Sequence, residues 1–170
     1  MRTPAGTSVP ATGTALPAAG MAGNPPGWRG GLNQIADRLS ALPMDLVLAP
    51  AARLAMAAVF WLSGRTKVEG WLTVSENAVT LFAQEYKLPL VSPELAAHAA
   101  AYAEHLLPVL LVLGLFTRFS ALALLGMTSV IQLLVYPDAW PTHLTWAVPL
   151  LYLACRGAGV VSLDRVLRLR

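Results

Sequence analysis

Charge is scarce in this chain. Charged residues make up 12% of its 170 positions, twelve basic and nine acidic, against about 25% in an ordinary soluble domain. With 56% hydrophobic residues, that shortage excludes a solvated surface of normal extent and points to an integral membrane protein. Cysteine is nearly absent. The single Cys155 excludes an internal disulfide, and in its apolar run a cysteine acts as a small hydrophobe. The chain also lacks a nucleophile motif, a phosphate loop, a CxxC pair and a haem-attachment sequence. The net charge of +3 does not indicate nucleic acid, because the basic residues flank apolar segments instead of clustering on a polar domain. They read as topology signals.

What is present falls into zones. Residues 1–27 are almost entirely Ala, Pro, Gly, Thr and Ser. They lack the charged start and apolar middle of a secretory signal. They are expected to form a disordered tail, since they bury too little apolar area to offset ordering entropy. Over residues 28–43, Leu32, Ile35, Ala36, Leu39 and Leu42 recur at helical spacing, with Asp37 and Arg38 opposite and Pro43 as a stop. This is too short to span a bilayer and is expected to be an interfacial amphipathic helix.

Four apolar segments follow, at about Leu46–Leu62, Leu95–Phe116, Phe119–Tyr136 and Pro141–Cys155. A crossing needs roughly 17–25 helical residues. The second segment meets this, the first and third lie near the lower limit, and the fourth is short and holds Pro149. Ser92, Pro93 and Glu94 form a strong start signal for the second segment. Between the first two segments, Thr73-Val-Ser-Glu76 resembles a capping box, and a surface helix is expected over Val74–Tyr86. The expected fold is therefore all-α, an integral membrane four-helix bundle with a disordered tail and a short interfacial helix.

With four spans, nine of the twelve basic residues (Arg2, Arg29, Arg38, Arg53, Arg118, Arg156, Arg165, Arg168 and Arg170) share one side with both termini, and Arg65, Lys67 and Lys87 face the other. Both termini are therefore expected in the cytoplasm.

Polar residues inside such segments are candidates for function. Arg53 reads either as an arginine snorkelling to the boundary or as a buried partner for a carboxylate or an anionic headgroup. "SGRTKVEGW", Ser63 to Trp71, puts Gly64 and Lys67 at the end of the first span. Glu104 sits in the second span beside His105. Pro108 lacks the amide that would bond the Glu104 carbonyl. The expectation is one buried cluster of Arg53, Lys67 and Glu104. The orientation puts Lys67 as the first partner of Glu104 and Arg53 as the second. His98, Tyr102 and His105 share one helix face, but at 1.5 Å per residue the two histidines stand roughly 10 Å apart along the axis. One ion cannot ligate both, so no metal site is expected. Asp138 and His143, in "YPDAWPTH", are expected in an outer loop lining the mouth of a site. Gln132 reads as interhelical glue.

An Arg early in the first span, "GRTK" closing it, "AEHLLPVLLVLGLFTR", and "GAGVVSLDRVL" after the fourth span together resemble the DoxX family of small four-helix bacterial membrane proteins, over about residues 46–167. Beside Arg53, Lys67 and Glu104, the positions carrying the resemblance are Gly64, Gly114, Thr117, Arg118, Gly157, Gly159, Ser162, Leu163 and Asp164. The resemblance implies a component of the bacterial inner membrane. It also implies a link to membrane oxidoreductases and thiol-oxidative stress. The expected function is an accessory or quinone-interacting component of such a system, with Glu104 as its proton-exchanging member. No cofactor is evident in the residues; quinone enters only through the resemblance. The expected partners are the lipid bilayer and a membrane oxidoreductase or a second copy of the chain, not nucleic acid. Two other readings stay open: a non-enzymatic membrane scaffold, and a small-solute or metal-ion conduit.

Overall fold

A computed structural model describes residues 28–40 and 44–169. The chain divides into two units, Met1–Leu42 and Pro43–Arg170. In the first, helix α1 spans Trp28–Ser40. Its Leu32 and Ile35 are exposed and sit three residues apart, so they share a face. The tail expected over 1–27, and the stop expected at Pro43, lie outside the described residues.

Among the described residues, the regular structure of the second unit is helical apart from one small hairpin. Helix α2 covers Met44–Arg65. Strands β1 (Val68–Glu69) and β2 (Thr73–Val74) pair antiparallel, Val68 opposite Val74. Helix α3, Glu76–Leu81, continues into a π-turn at Phe82–Tyr86. Helix α4 runs Pro93–Leu113. Helix α5, Thr117–Val130, continues into a second π-turn at Ile131–Val135. A 3₁₀ turn at Pro137–Ala139 leads into α6, Trp140–Arg156, and α7 is Leu163–Val166.

Local chemistry accounts for most boundaries. Ser92 Oγ accepts from the Leu95 amide and Pro93 opens α4, as that motif predicts. Gly114 ends α4 in the left-handed region at φ +65°, which costs glycine least. The cap of α3 differs from expectation. Ser75, not Thr73, is the N-cap, its Oγ accepting from the Ala78 amide at 3.2 Å. Thr73 is committed to the hairpin ladder, and the helix begins after it.

Among the described residues, three helices are long and apolar enough to cross a membrane: Leu46–Arg65, Pro93–Leu113 and Thr117–Val135. Helix α6 has 17 residues, roughly 25 Å at 1.5 Å each, and includes Pro149. One core joins α2, α4, α5 and α6, through Met56, Phe60, Leu107, Leu111, Leu124, Leu150 and Leu153 among others. The outer faces carry exposed apolar side chains such as Leu62, Leu106, Phe119 and Leu133. In a bilayer those side chains gain nothing by burial, so close packing and satisfied polar groups must hold the helices together. The small residues Ala52, Ala57, Ala97, Ala101 and Ala121, all buried, permit that approach.

Candidate functional site

Helices α2 and α4 run antiparallel. Arg53 meets α4 at Leu111 and Val112, and Gly64 meets it at Glu104 and His105. Two polar sites stand at the two ends of this contact.

The first is built on Lys67. The chain turns sharply after α2, with the Lys67 amide donating to Gly64 O and the Ser75 amide donating to Lys67 O, both at 3.0 Å. That turn folds the side chain back toward α4. The Lys67 ammonium donates to Glu104 Oε2 at 2.7 Å, to Ser63 Oγ at 3.0 Å and to Ser63 O at 3.3 Å. Three N–H donors thus meet three acceptors. Lys67 is 5% exposed and Glu104 2%, so neither charge is shared with water.

Gly64 makes the pairing possible. A Cβ at that position would lie 2.9 Å from His105 Cε1 and 3.0 Å from Glu104 Cβ. Gly64→Ala is expected to cost about 1–3 kcal/mol of stability through overpacking, although alanine is the better helix former by up to about 1 kcal/mol. Gly126, whose Cβ would meet nothing within 4 Å, is the control. Thermal unfolding in detergent should show a lowered midpoint for Gly64→Ala and none for Gly126→Ala.

Glu104 and Lys67 form the polar end of a cleft of about 330 Å³. Its walls are otherwise mostly apolar: Phe82, Tyr86 and Leu88 from the first π-turn and the residues after it, Ala96, Ala100 and Ala103 from α4, Met127 and Val130 from α5, and Ile131 from the second π-turn. The alanines follow the i, i+4, i+7 spacing of one helix face, leaving a smooth trough. Both π-turns border the cleft, and such turns recur at functional positions because they widen the backbone and displace side chains. They are tied across it: the Tyr136 hydroxyl donates to Glu85 Oε2, and the Tyr86 and Tyr136 rings lie 6.3 Å apart, edge to face.

Burial pushes the Tyr86 hydroxyl up to about 12 from 10.0, helped by the charge of Glu104. Tyr136 is also raised, mainly by its hydrogen bond to Glu85. A raised tyrosine favours its neutral form in the folded state. Its contribution is therefore complete below pH 10.0 and is lost as pH rises through about 12. In a spectroscopic titration, Tyr86→Phe should remove a phenolate step near pH 12 and reduce the loss of stability across that window. Loss of a step near pH 10.0 instead would mean that Tyr86 is hydrated.

The second site is built on Arg53, which is 6% exposed. Its guanidinium donates to four backbone carbonyls: Leu111 O at 2.7 Å, Val112 O at 2.6 Å, Ala158 O at 3.0 Å and Val161 O at 2.6 Å. Leu111 and Val112 belong to the last turn of α4, where carbonyls lack i+4 partners; Leu111 O also accepts from the Gly114 amide at 3.1 Å. Gly114 lies against the same guanidinium, and a Cβ there would come 2.8 Å from Arg53 Cζ. Asp164 closes the junction. Its carboxylate accepts from the Phe116 and Thr117 amides at 2.7 and 3.0 Å, and its own amide donates to Gly114 O at 2.8 Å. Arg118 donates to Ala154 O and Cys155 O, the end of α6. Ser162 caps α7, which Leu163 opens. Gly157 (φ +84°) and Gly159 (φ +80°) turn the intervening chain.

The expected three-residue cluster therefore divides. Lys67 and Glu104 meet, while Arg53 is spent on carbonyls at the opposite end of the helix pair. The other candidates are scattered. His105 is buried, its Nδ1 on Ala101 O at 2.7 Å and its ring against Trp61. Its Nε2 is buried without a partner. A ring nitrogen facing a carbonyl carries the proton, so Nε2 is the acceptor in the neutral ring. His98 bonds Glu94 O in the same way, and Tyr102 is half exposed. His143 does not line a loop. It is buried in α6, with Nδ1 on Gln132 Oε1 at 2.6 Å. Asp138 is exposed on the 3₁₀ turn, and neither residue borders the cleft. Pro141 lies in the first turn of α6, where its missing amide does no harm, so the helix begins early enough to take His143 inside. Sequence reasoning missed Ser63, Glu85, Tyr86, Met127 and Ile131. Of these, only Ser63, four residues before Lys67, carried a signal. Among the described residues, no group of three or more His, Cys, Asp or Glu side chains could hold a metal ion.

A protein of Haemophilus influenzae (strain ATCC 51907 / DSM 11121 / KW20 / Rd), described as uncharacterized, is 33% identical over 87 residues, 46% of this chain. The match spans 58% of that relative's length. No solved structure matches. The DoxX family model matches residues 48–137, which include Arg53, Gly64, Lys67, Glu104, Gly114, Thr117 and Arg118. Gly157, Gly159 and Ser162–Asp164 lie beyond the matched stretch, although their backbone closes the Arg53 site. With more than half of its 170 residues matched and three helices able to cross a bilayer, this chain is a membrane protein of the DoxX family.

Proposed function

We propose that this chain is a four-span protein of the bacterial inner membrane, with both termini cytoplasmic, serving a membrane redox system as a quinone-interacting accessory subunit. The observation that carries the proposal is the cleft, an apolar trough whose charged groups, among the described residues, are the mutually paired Lys67 and Glu104. Its volume of about 330 Å³ lies at the lower end of the roughly 300–1,000 Å³ typical of small-molecule sites. That suits a ring-sized head with its tail left among lipids. A quinone carbonyl can accept from the Lys67 ammonium by displacing Ser63 O, its longest contact at 3.3 Å, and a quinol hydroxyl can donate to the Glu104 carboxylate. The α1 helix, with Leu32 and Ile35 on one face, suits an interfacial position.

The test is retention of quinone. Protein purified from bacterial membranes in mild detergent, then extracted and chromatographed, should carry quinone at close to one per chain. A folded variant with both Lys67→Met and Glu104→Leu should carry almost none. Repeated absence of quinone from the native protein would sink the reading.

A second reading, a non-enzymatic scaffold, draws on the same pair. Ser63 and Glu104 already meet every donor of Lys67, so the pair is complete without a ligand. Under that reading the double variant supports the partner complex as well as the native chain does.

A further inference from the structure

At the far end of α5 from the quinone cleft lies a second and larger cavity, about 1,040 Å³. Its walls come from the first turn of α5, the last turn of α6, the Gly157–Val160 bend and α7 with the residues after it. Four arginines border it, Arg118, Arg156, Arg165 and Arg168, against a single acidic residue, Asp164. That carboxylate accepts from the Phe116 and Thr117 amides and keeps its charge, but four guanidiniums outnumber it and the lining stays net positive. Arg118 is anchored through one guanidinium nitrogen to the Ala154 and Cys155 carbonyls, which holds it at the rim. Arg165 and Arg168 are exposed. Thr117, wholly buried and bordering the cavity, keeps an Oγ1 without a hydrogen-bond partner.

We propose that this cavity binds the headgroup of an acidic phospholipid. An arginine-rich, partly enclosed hollow recognises phosphate by charge and by its forked donors. The surroundings favour a lipid over a soluble phosphate compound. Thr117 is the first residue of a helix able to cross the bilayer, so the cavity lies where headgroups lie. Phe116 and Phe119 border it at 54% and 65% exposed, and Val166 beside Arg165 is 74% exposed. A soluble ligand would leave those side chains facing water, whereas acyl chains cover them while the arginines hold the phosphate. Basic hollows among membrane helices bind anionic headgroups in this manner. The site is independent of the quinone reading.

The experiment uses the full chain purified in neutral detergent, with native mass spectrometry of the lipid retained from equal amounts of phosphatidylglycerol and phosphatidylcholine. Phosphatidylglycerol should be retained in large excess. The double variant Arg165→Gln/Arg168→Gln should weaken its retention about thirtyfold, roughly five- to sixfold for each arginine near an anionic surface. Both residues are exposed, so the fold should survive, which size exclusion and the thermal midpoint will verify. The variant Arg65→Gln/Lys87→Gln removes the same charge from exposed positions at the other end of the molecule and should retain lipid as the native chain does. Equal retention of the two lipids, or an equal loss in both double variants, would overturn the proposal. Displacement of the lipid by millimolar inorganic phosphate would overturn it in favour of a soluble phosphate ligand.

Discussion

Arg53→Met is expected to cost about 3–5 kcal/mol and to leave little folded protein in the membrane. The estimate rests on its four carbonyl bonds. Each buried acceptor left unpaired costs about 1–3 kcal/mol, and in a bilayer water is not at hand to replace the donor. Some relaxation of the Ala158–Val161 bend limits the total. Arg53→Lys should recover little. An ammonium is a point donor and cannot fan across the end of α4 and the C-terminal bend at once. The measurement is accumulation in the membrane fraction together with the thermal midpoint of solubilised protein. If Arg53→Lys behaves as the native chain does, charge alone suffices and the carbonyl geometry is not what matters. Asp164→Asn is a milder probe of the same junction, since its one carbonyl oxygen keeps one of the two amide bonds while the charge and the other bond are lost.

Lys67→Met alone, or Glu104→Leu alone, is expected to cost about 3–5 kcal/mol, because each strands the other charge in a dry site. The two changes together should restore most of that stability, since an apolar pair replaces a buried ion pair at little net cost. The double-mutant cycle therefore separates holding from working. If the doubly substituted protein is stable yet fails to retain quinone, the pair serves the ligand. If it is stable and fully competent, the pair serves only the packing of α2 on α4. Glu104→Gln sharpens the distinction. It preserves the shape and an acceptor for Lys67 while removing the carboxylate, so normal accumulation with lost function would assign Glu104 the proton-bearing role. Normal function in that variant would exclude the role.

Much of this was legible in the residues. The apolar runs placed the long helices to within a few positions, because the bilayer sets their length and composition together. Ser92-Pro93 marked the start of α4 by local chemistry alone. The meeting of Lys67 with Glu104 followed from orientation. If α2 and α4 are antiparallel, the end of one lies level with the outer half of the other. The carbonyl partners of Arg53 were not legible. Backbone acceptors carry no side-chain signature, and two of the four lie more than a hundred residues away in the C-terminal bend. His143 was misplaced for a related reason. Reading "YPDAWPTH" as an outer loop put His143 outside the helix, yet Pro141 sits in the first turn of α6, where a proline breaks nothing.

Sequence by itself determined that this is an all-α membrane chain, where its apolar helices lie, and which few charges would have to find partners inside it. Tertiary structure alone decided who those partners are. It split one expected cluster into an ion pair and a carbonyl junction, and it opened an apolar cleft beside the pair. The reason is physical. Hydropathy and helix periodicity are properties of neighbouring residues, whereas the cleft exists only because Phe82, Ala100 and Met127 from three separate segments stop short of filling the space between them.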